Sequence, residues 1–225
     1  MSNSPDTNGV QYIPDPYDLV VERRGFVVRQ EPGLVFDSSV QKEGGESVVD
    51  NVILEGRRCV LKVSKMSPGM CQERNAFLDF RGFSHTPELI RDYIHQNVVI
   101  ALLVDRFDGV PFREFLSSHP EMALLFFQNL RKAINDFHGR GFGAPDDWLK
   151  PGNLLVAKDA TCSFVDLGAV IKPSPGTPPS FMYTVELDHR SFRATMGEFL
   201  DTPGLRRKFR KPLEKFWLKD KILCP

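Results

Sequence analysis

Residues 149–168 constrain this chain more than any other stretch. Two short apolar runs, Leu154-Leu-Val156 and Cys162-Ser-Phe-Val165, flank Lys158-Asp159 in the pattern of a β-hairpin. Asn153 stands immediately before the first run and Asp166 immediately after the second. A hairpin brings those two positions side by side at one end. An amide oxygen and a carboxylate oxygen held together suit a hard divalent cation, which takes oxygen ligands and is commonly shared with phosphate. Gly168 then lets the chain turn sharply away. The competing reading is a plain hairpin with a turn Asn and a terminal Asp. The rest of the chain has to decide between the two.

Residues 1–18 are polar and rich in turn formers, with Pro5, Pro14 and Pro16, and read as a flexible leader. From Leu19 to Val63 short apolar runs alternate with glycine or charged turns. Gly25-Phe-Val-Val28, Leu34-Val-Phe36, Val48 to Leu54 and Cys59 to Val63 are the expected strands. Gln72 to Phe80 has helical spacing at Ala76, Phe77 and Phe80. Tyr93-Ile94 and Val98 to Val104 read as two more strands. Phe112 to Leu116 reads as a short helix and Pro120 to Phe142 as a long one, with Leu124, Phe127, Leu130, Ile134 and Phe137 on one face. A Pro- and Gly-rich loop, Lys172 to Ser180, precedes helices expected over Leu187–Leu200 and Leu205–Leu218. The division is a leader over 1–18, a β-rich unit over 19–104 and a mostly helical unit over 105–225. The fold class is therefore α+β.

Composition removes several function classes. Lysines and arginines number 29 and so do aspartates and glutamates, so there is no global attraction to nucleic acid or to a membrane surface. The longest apolar run, Val98 to Val104, is far too short to span a bilayer. The first residues lack the basic and apolar regions of a Sec signal peptide. Cys59, Cys71, Cys162 and Cys224 form no CxxC pair and the histidines are scattered, which gives no zinc pattern and fits thiols in a reducing compartment.

Leu149-Lys-Pro-Gly-Asn-Leu-Leu-Val156, followed by Phe164-Val-Asp-Leu-Gly168, resembles the catalytic loop and metal-binding loop of protein kinases. The resemblance implies a two-lobed protein-kinase-like fold with a β-rich N-lobe and a shortened helical C-lobe. It implies ATP and Mg2+ as cofactors, with Asn153 and Asp166 as the metal ligands. Phe137-His-Gly-Arg-Gly-Phe142 is similar to the helix end before that loop. The family's His-Arg-Asp is absent. Ala144-Pro-Asp-Asp-Trp-Leu-Lys150 stands in its place, with at least one residue inserted. By the resemblance Asp147 is the first choice for the carboxylate that orients the substrate hydroxyl and Asp146 the second, and Lys150 would neutralise the transferred phosphoryl. The plainer reading makes Asp146 and Asp147 a turn or N-cap pair.

Other segments fall in the order that family implies. Val60-Leu-Lys62 resembles the family's lysine strand, and Glu73 on the next helix would hold Lys62 against the α- and β-phosphates. Without that context the same two residues read as an exposed ion pair. Gly44-Gly-Glu-Ser47 resembles a reduced glycine-rich loop with Gly44 and Gly45 near the phosphates, or else a hairpin turn. Val48 or Val49 would cover adenine. Leu102 to Gly109 resembles the hinge, where the backbone of Asp105 to Phe107 would hydrogen-bond adenine. Gly176 to Met182 looks like the end of an activation segment, and Asp188-His-Arg-Ser-Phe192 like the start of the helix whose Asp braces the catalytic loop. The basic, aromatic stretch Leu205 to Lys219 reads as a final amphipathic helix, against a docking face for an acidic partner.

The activity implied is γ-phosphoryl transfer to Ser or Thr of a protein substrate by a minimal, monomeric kinase. The compact size is similar to that of kinases that bacterial pathogens secrete into host cells as virulence effectors, some of which act on a host heat-shock chaperone. That implies a cytoplasmic or host-cytoplasmic location, a protein substrate, and no nucleic-acid or membrane partner. The missing His-Arg and the reduced glycine loop leave a pseudokinase scaffold open. A kinase-fold enzyme that acts on a small molecule or transfers a nucleotide is also open.

Overall fold

The computed structural model describes residues 15–43, 46–66, 70–143, 149–150, 152–168, 170, 178–201, 211 and 215. It is a mixed α+β structure with a five-stranded antiparallel sheet, a three-stranded sheet and five α-helices among those residues.

The chain enters through α1, Pro16–Gln30. Asp15 caps it by accepting from Tyr17 N–H at 2.8 Å, and Pro16 occupies the first turn, where a missing N–H costs nothing. This corrects two sequence expectations. The helix begins inside the expected leader, and Gly25 to Val28 is helical rather than a strand. Val20, Arg23 and Val27 share one buried face, a spacing of three and seven that only a helix aligns. Three consecutive apolar residues, Phe26 to Val28, resemble a strand locally, but only Val27 of them is fully buried.

The large sheet has the order β1-β2-β3-β5-β4, formed by β1 (Leu34–Glu43), β2 (Ser47–Leu54), β3 (Arg57–Ser64), β4 (Leu89–His95) and β5 (Val98–Asp105). Two tight turns set its register. Glu55 and Gly56 both take positive φ (51° and 80°) between β2 and β3, and Gln96 and Asn97 do so (49° and 63°) between β4 and β5. β5 is interior and apolar on both faces, which explains its unbroken hydrophobic run.

Alternation along the strands builds two cores. Val48, Val52, Leu61, Val63 and Leu103 pack beneath α1 through Val20 and Val27. Val99, Leu102 and Val104 point the other way, into a second and larger core. That core holds α2 (Cys71–Asp79), α3 (Phe112–Ser118), α4 (Ala123–Gly139) and α5 (Pro178–Asp201). Phe80, Phe83 and Phe164 surround Phe137, with centroids 4.3 Å apart for Phe80–Phe137 and 5.1 Å for Phe137–Phe164, and Phe142 packs on Phe80. Burying each such ring stabilises the fold by roughly 2–3 kcal/mol. α4 matches its expected face closely, but it is shorter than the expected Pro120–Phe142: a 3-10 turn, Pro120–Met122, precedes it and it ends at Gly139.

The small sheet joins β6 (Val110–Pro111), β7 (Leu154–Val156) and β8 (Cys162–Phe164). The hairpin expected around Lys158-Asp159 is β7–β8, with Leu154 opposite Phe164. α5 begins at Pro178, so the expected activation-segment end is helical from that point on. Residues 171–177 and most of 202–225 lie outside the described residues; Lys211 and Lys215 in the expected last helix are helical. No helix among the described residues is long and apolar enough to cross a membrane.

Candidate functional site

Lys62 lies on β3, on the face turned away from α1, and its side chain is almost fully buried. An apolar face would reject an ammonium there without a partner. Glu73, in the first turn of α2, supplies it as a direct ion pair, also buried. Asp166 Oδ1 lies 3.9 Å from the Lys62 Nζ, and Val165 O lies 3.5 Å from it. Burial alone would lower the Lys62 pKa, but the carboxylates of Glu73 and Asp166 outweigh it and hold the ammonium protonated. Burial pushes the Glu73 carboxyl up, and Asp166 adds to that against the pull of Lys62.

Asp166 follows β8 and is about half exposed. Gly168 N–H donates to its Oδ1 at 3.0 Å. α2 grips the same segment twice more. Leu167 N–H donates to Glu73 Oε1 at 3.4 Å, and Gln72 Nε2 donates to Val170 O at 3.2 Å. Asn153 precedes β7; its N–H donates to Lys150 O at 3.1 Å, and its carbonyl accepts from Val165 N–H at 2.9 Å. Asn153 thus faces Val165 across the hairpin, and Asp166 follows at the same end.

Lys62, Asn153 and Asp166 line one cavity of about 850 Å3. It is lined by Val49, Asn51 and Val60 of the large sheet, by Leu155 and Val156 of the small one, and by Val165 just after β8. Of Val48 and Val49, Val49 lines the cavity, whereas Val48 is buried under α1. The connection from β5 to β6 forms the cavity's side through Asp105, Arg106, Phe107 and Gly109. Asp105 N–H is taken by Glu88 O at 2.9 Å and Arg106 N–H by Arg58 O at 3.3 Å. Arg57 makes a bidentate pair with Asp105, and Arg58 reaches Asp108 at 3.2 Å. At Gly109 a Cβ would meet Phe107 Cε1 at 2.7 Å and the Val156 carbonyl carbon at 2.9 Å, so glycine alone fits that approach.

The remaining sequence candidates divide. Lys150 is exposed and does not line the cavity. Gly44, Gly45, Asp146 and Asp147 lie outside the described residues. Asp188 is buried in α5, and its Oδ2 lies 2.8 Å from His138 Nε2 in the last turn of α4, just ahead of that loop. His138 was not singled out from the sequence, nor were Gln72, Asn51 and Gly109. Of these, His138 meets Asp188 only through long-range packing.

The donors present fit a nucleotide with a divalent cation. A carboxylate and a carboxamide suit magnesium beside phosphate, a charged ammonium faces the same space, and an apolar slot can take a flat base. The chain matches no protein-family model, and no curated protein matches it.

Proposed function

We propose that the protein is an ATP-dependent protein kinase, on a two-lobed protein-kinase-like fold, that transfers the γ-phosphoryl group to a Ser or Thr hydroxyl of a protein. One observation carries the reading. Lys62, held by buried Glu73, lines with Asp166 and Asn153 one cavity large enough for a nucleotide. A purely structural ion pair has no need of an adjoining cavity or of a half-exposed third acid.

In this reading Val49 and Val60 cover one face of the base and Leu155 the other. Phe107 N–H is the hinge amide we assign to the base, because those of Asp105 and Arg106 are engaged within the protein. Lys62 steadies the phosphates with a compact positive charge, and Glu73 keeps it aimed. Asn153 and Asp166 hold magnesium. ATP supplies the phosphoryl group, and Mg2+ neutralises charge on its phosphates. Asp147, or Asp146 in second place, accepts the hydroxyl proton as the new P–O bond forms and the bond to the β-phosphate oxygen breaks. Most of the catalysis is positioning and charge stabilisation.

The test uses two labels. Protein and magnesium are incubated with γ-labelled or α-labelled ATP, with and without a host-cell extract. Label on protein Ser or Thr from γ-labelled ATP alone supports the proposal. Label from α-labelled ATP means nucleotide transfer, label confined to small molecules means a different acceptor, and tight binding without transfer means a pseudokinase.

A further inference from the structure

Outside the cavity, the group hardest to explain as ordinary packing is the guanidinium of Arg23. It sits on the buried face of α1, only 8% exposed, and no carboxylate is paired with it among the described residues. Burial lowers its pKa from the ordinary value, with neighbouring Glu22 opposing. Such a charge is costly unless its hydrogen bonds matter. Its Nη1 donates to Ser64 O at 2.8 Å and to Met66 O at 2.9 Å.

Those two carbonyls mark where β3 ends. Ser64 lies two residues after Lys62, and α2 begins at Cys71, two residues before Glu73. The connection between the two halves of the ion pair is thus short. Its near end is held by Arg23, and by Ser64 Oγ, which donates to Met66 O at 3.2 Å. Its far end is held by Met70 N–H, which donates to Val99 O at 2.9 Å. From α2 the contacts run on through Glu73 to Leu167 N–H and through Gln72 to Val170 O, on either side of Gly168 beside Asp166. The second arginine of α1, Arg24, does something different. It pairs with Asp50 on β2, away from this connection.

We propose that Arg23 is a positioning residue: by holding the exit of β3 from the outer face of the sheet, it sets where α2 stands and so keeps Lys62, Glu73 and Asp166 assembled. The inference rests on the kinase reading for its catalytic consequence but not for its structural one. α1 then belongs to the working site although it touches no part of the cavity. It is also the place where a change on the outer surface could loosen the site.

Arg23→Met, Arg23→Lys and Arg24→Ala are compared in the full chain by amide hydrogen exchange, melting temperature and steady-state kinetics. In Arg23→Met, exchange at Leu167 and Arg74 is expected to rise roughly tenfold or more above that in Arg24→Ala. The kcat for phosphoryl transfer is expected to fall about 10- to 100-fold, because small misplacements of reacting groups are costly. The KM for ATP should change much less than kcat. Arg23→Lys, which can still donate to both carbonyls, should restore most of each effect. Equal Leu167 exchange and equal kcat in Arg23→Met and Arg24→Ala overturn the proposal. If Arg23→Met does not fold, Arg23→Gln is read by the same exchange comparison. If the native protein transfers no phosphate, the kinase reading fails, while the exchange at Leu167 still decides the role of Arg23.

Discussion

Lys62 and Glu73 form an ion pair in which each side chain is 7% exposed, reached across only the end of one strand and the first turn of one helix. Removing one partner of such a pair strands the other charge. Glu73→Gln keeps the shape and leaves the ammonium facing Asp166 alone, at 3.9 Å. It should lower stability by about 3 kcal/mol, measured as a shift in the denaturant midpoint at unchanged slope.

Lys62→Met has a different signature because its orphan is an acid. Burial and the Asp166 charge already raise the Glu73 pKa, and without Lys62 only the Leu167 N–H still opposes them. A group whose pKa is raised by folding gives stability that is fully present below its ordinary value, here 4.5, and lost as pH rises through the folded value. Lys62→Met should therefore gain stability on acidification toward that value relative to the native protein. Parallel pH profiles from chemical denaturation would contradict this.

Two aspartate–arginine pairs should differ in worth. Arg24 grips Asp50 with two bonds, of 2.9 and 2.6 Å, and the Asp50 side chain is 9% exposed. Arg58 meets Asp108 where both are more than half exposed. Arg24→Ala should cost about 2 kcal/mol, since it leaves a nearly buried carboxylate, whereas Arg58→Ala should cost under about 1 kcal/mol. Thermal or denaturant unfolding of the two variants side by side checks the order.

Gly109→Ala puts a methyl group against the Val156 backbone and the Phe107 ring, so the segment must shift. The expected cost is about 1–3 kcal/mol of stability, with weaker nucleotide binding in a titration because Phe107 moves with it.

On the alkaline side, burial, with a smaller contribution from Asp159, pushes the Cys162 thiol up from 9.0 to about 12. The unfolded chain ionises first, so stability is lost as pH rises from 9.0 toward 12. The slope from this one group is about 1.4 kcal/mol per pH unit. Cys162→Ala should flatten that limb while losing some packing at every pH.

Much of the site was readable because it sits on local patterns. Asn153 and Asp166 flank a hairpin, and a hairpin is a short-range object. Lys62 on an alternating strand and Glu73 at the start of a short helix needed only the order of elements. α1 was misread because Phe26, Val27 and Val28 are adjacent and apolar, although Asp15-Pro16 is a cap followed by a first-turn proline and marks a helix start. Arg23 was beyond reach, since a buried arginine has the same letter as a solvated one. Asp188 is marked by its place at the head of an expected helix, but its partner His138, fifty positions away and 2.8 Å in space, is not. The mixed α+β class followed from a β-rich half with one helix and a mostly helical half, but the helix covering the outer face of the sheet did not.

The most direct measurement compares the native protein with Asp166→Ala for transfer of γ-label from ATP and magnesium to protein Ser or Thr. Asp166 is half exposed, so the variant should fold, which its melting temperature reports. The expected result is transfer by the native protein and a loss of about a thousandfold or more in Asp166→Ala, the scale of removing a charge-stabilising group. Transfer undiminished in Asp166→Ala, or none from a well-folded native protein that binds nucleotide, would contradict the kinase assignment of this site.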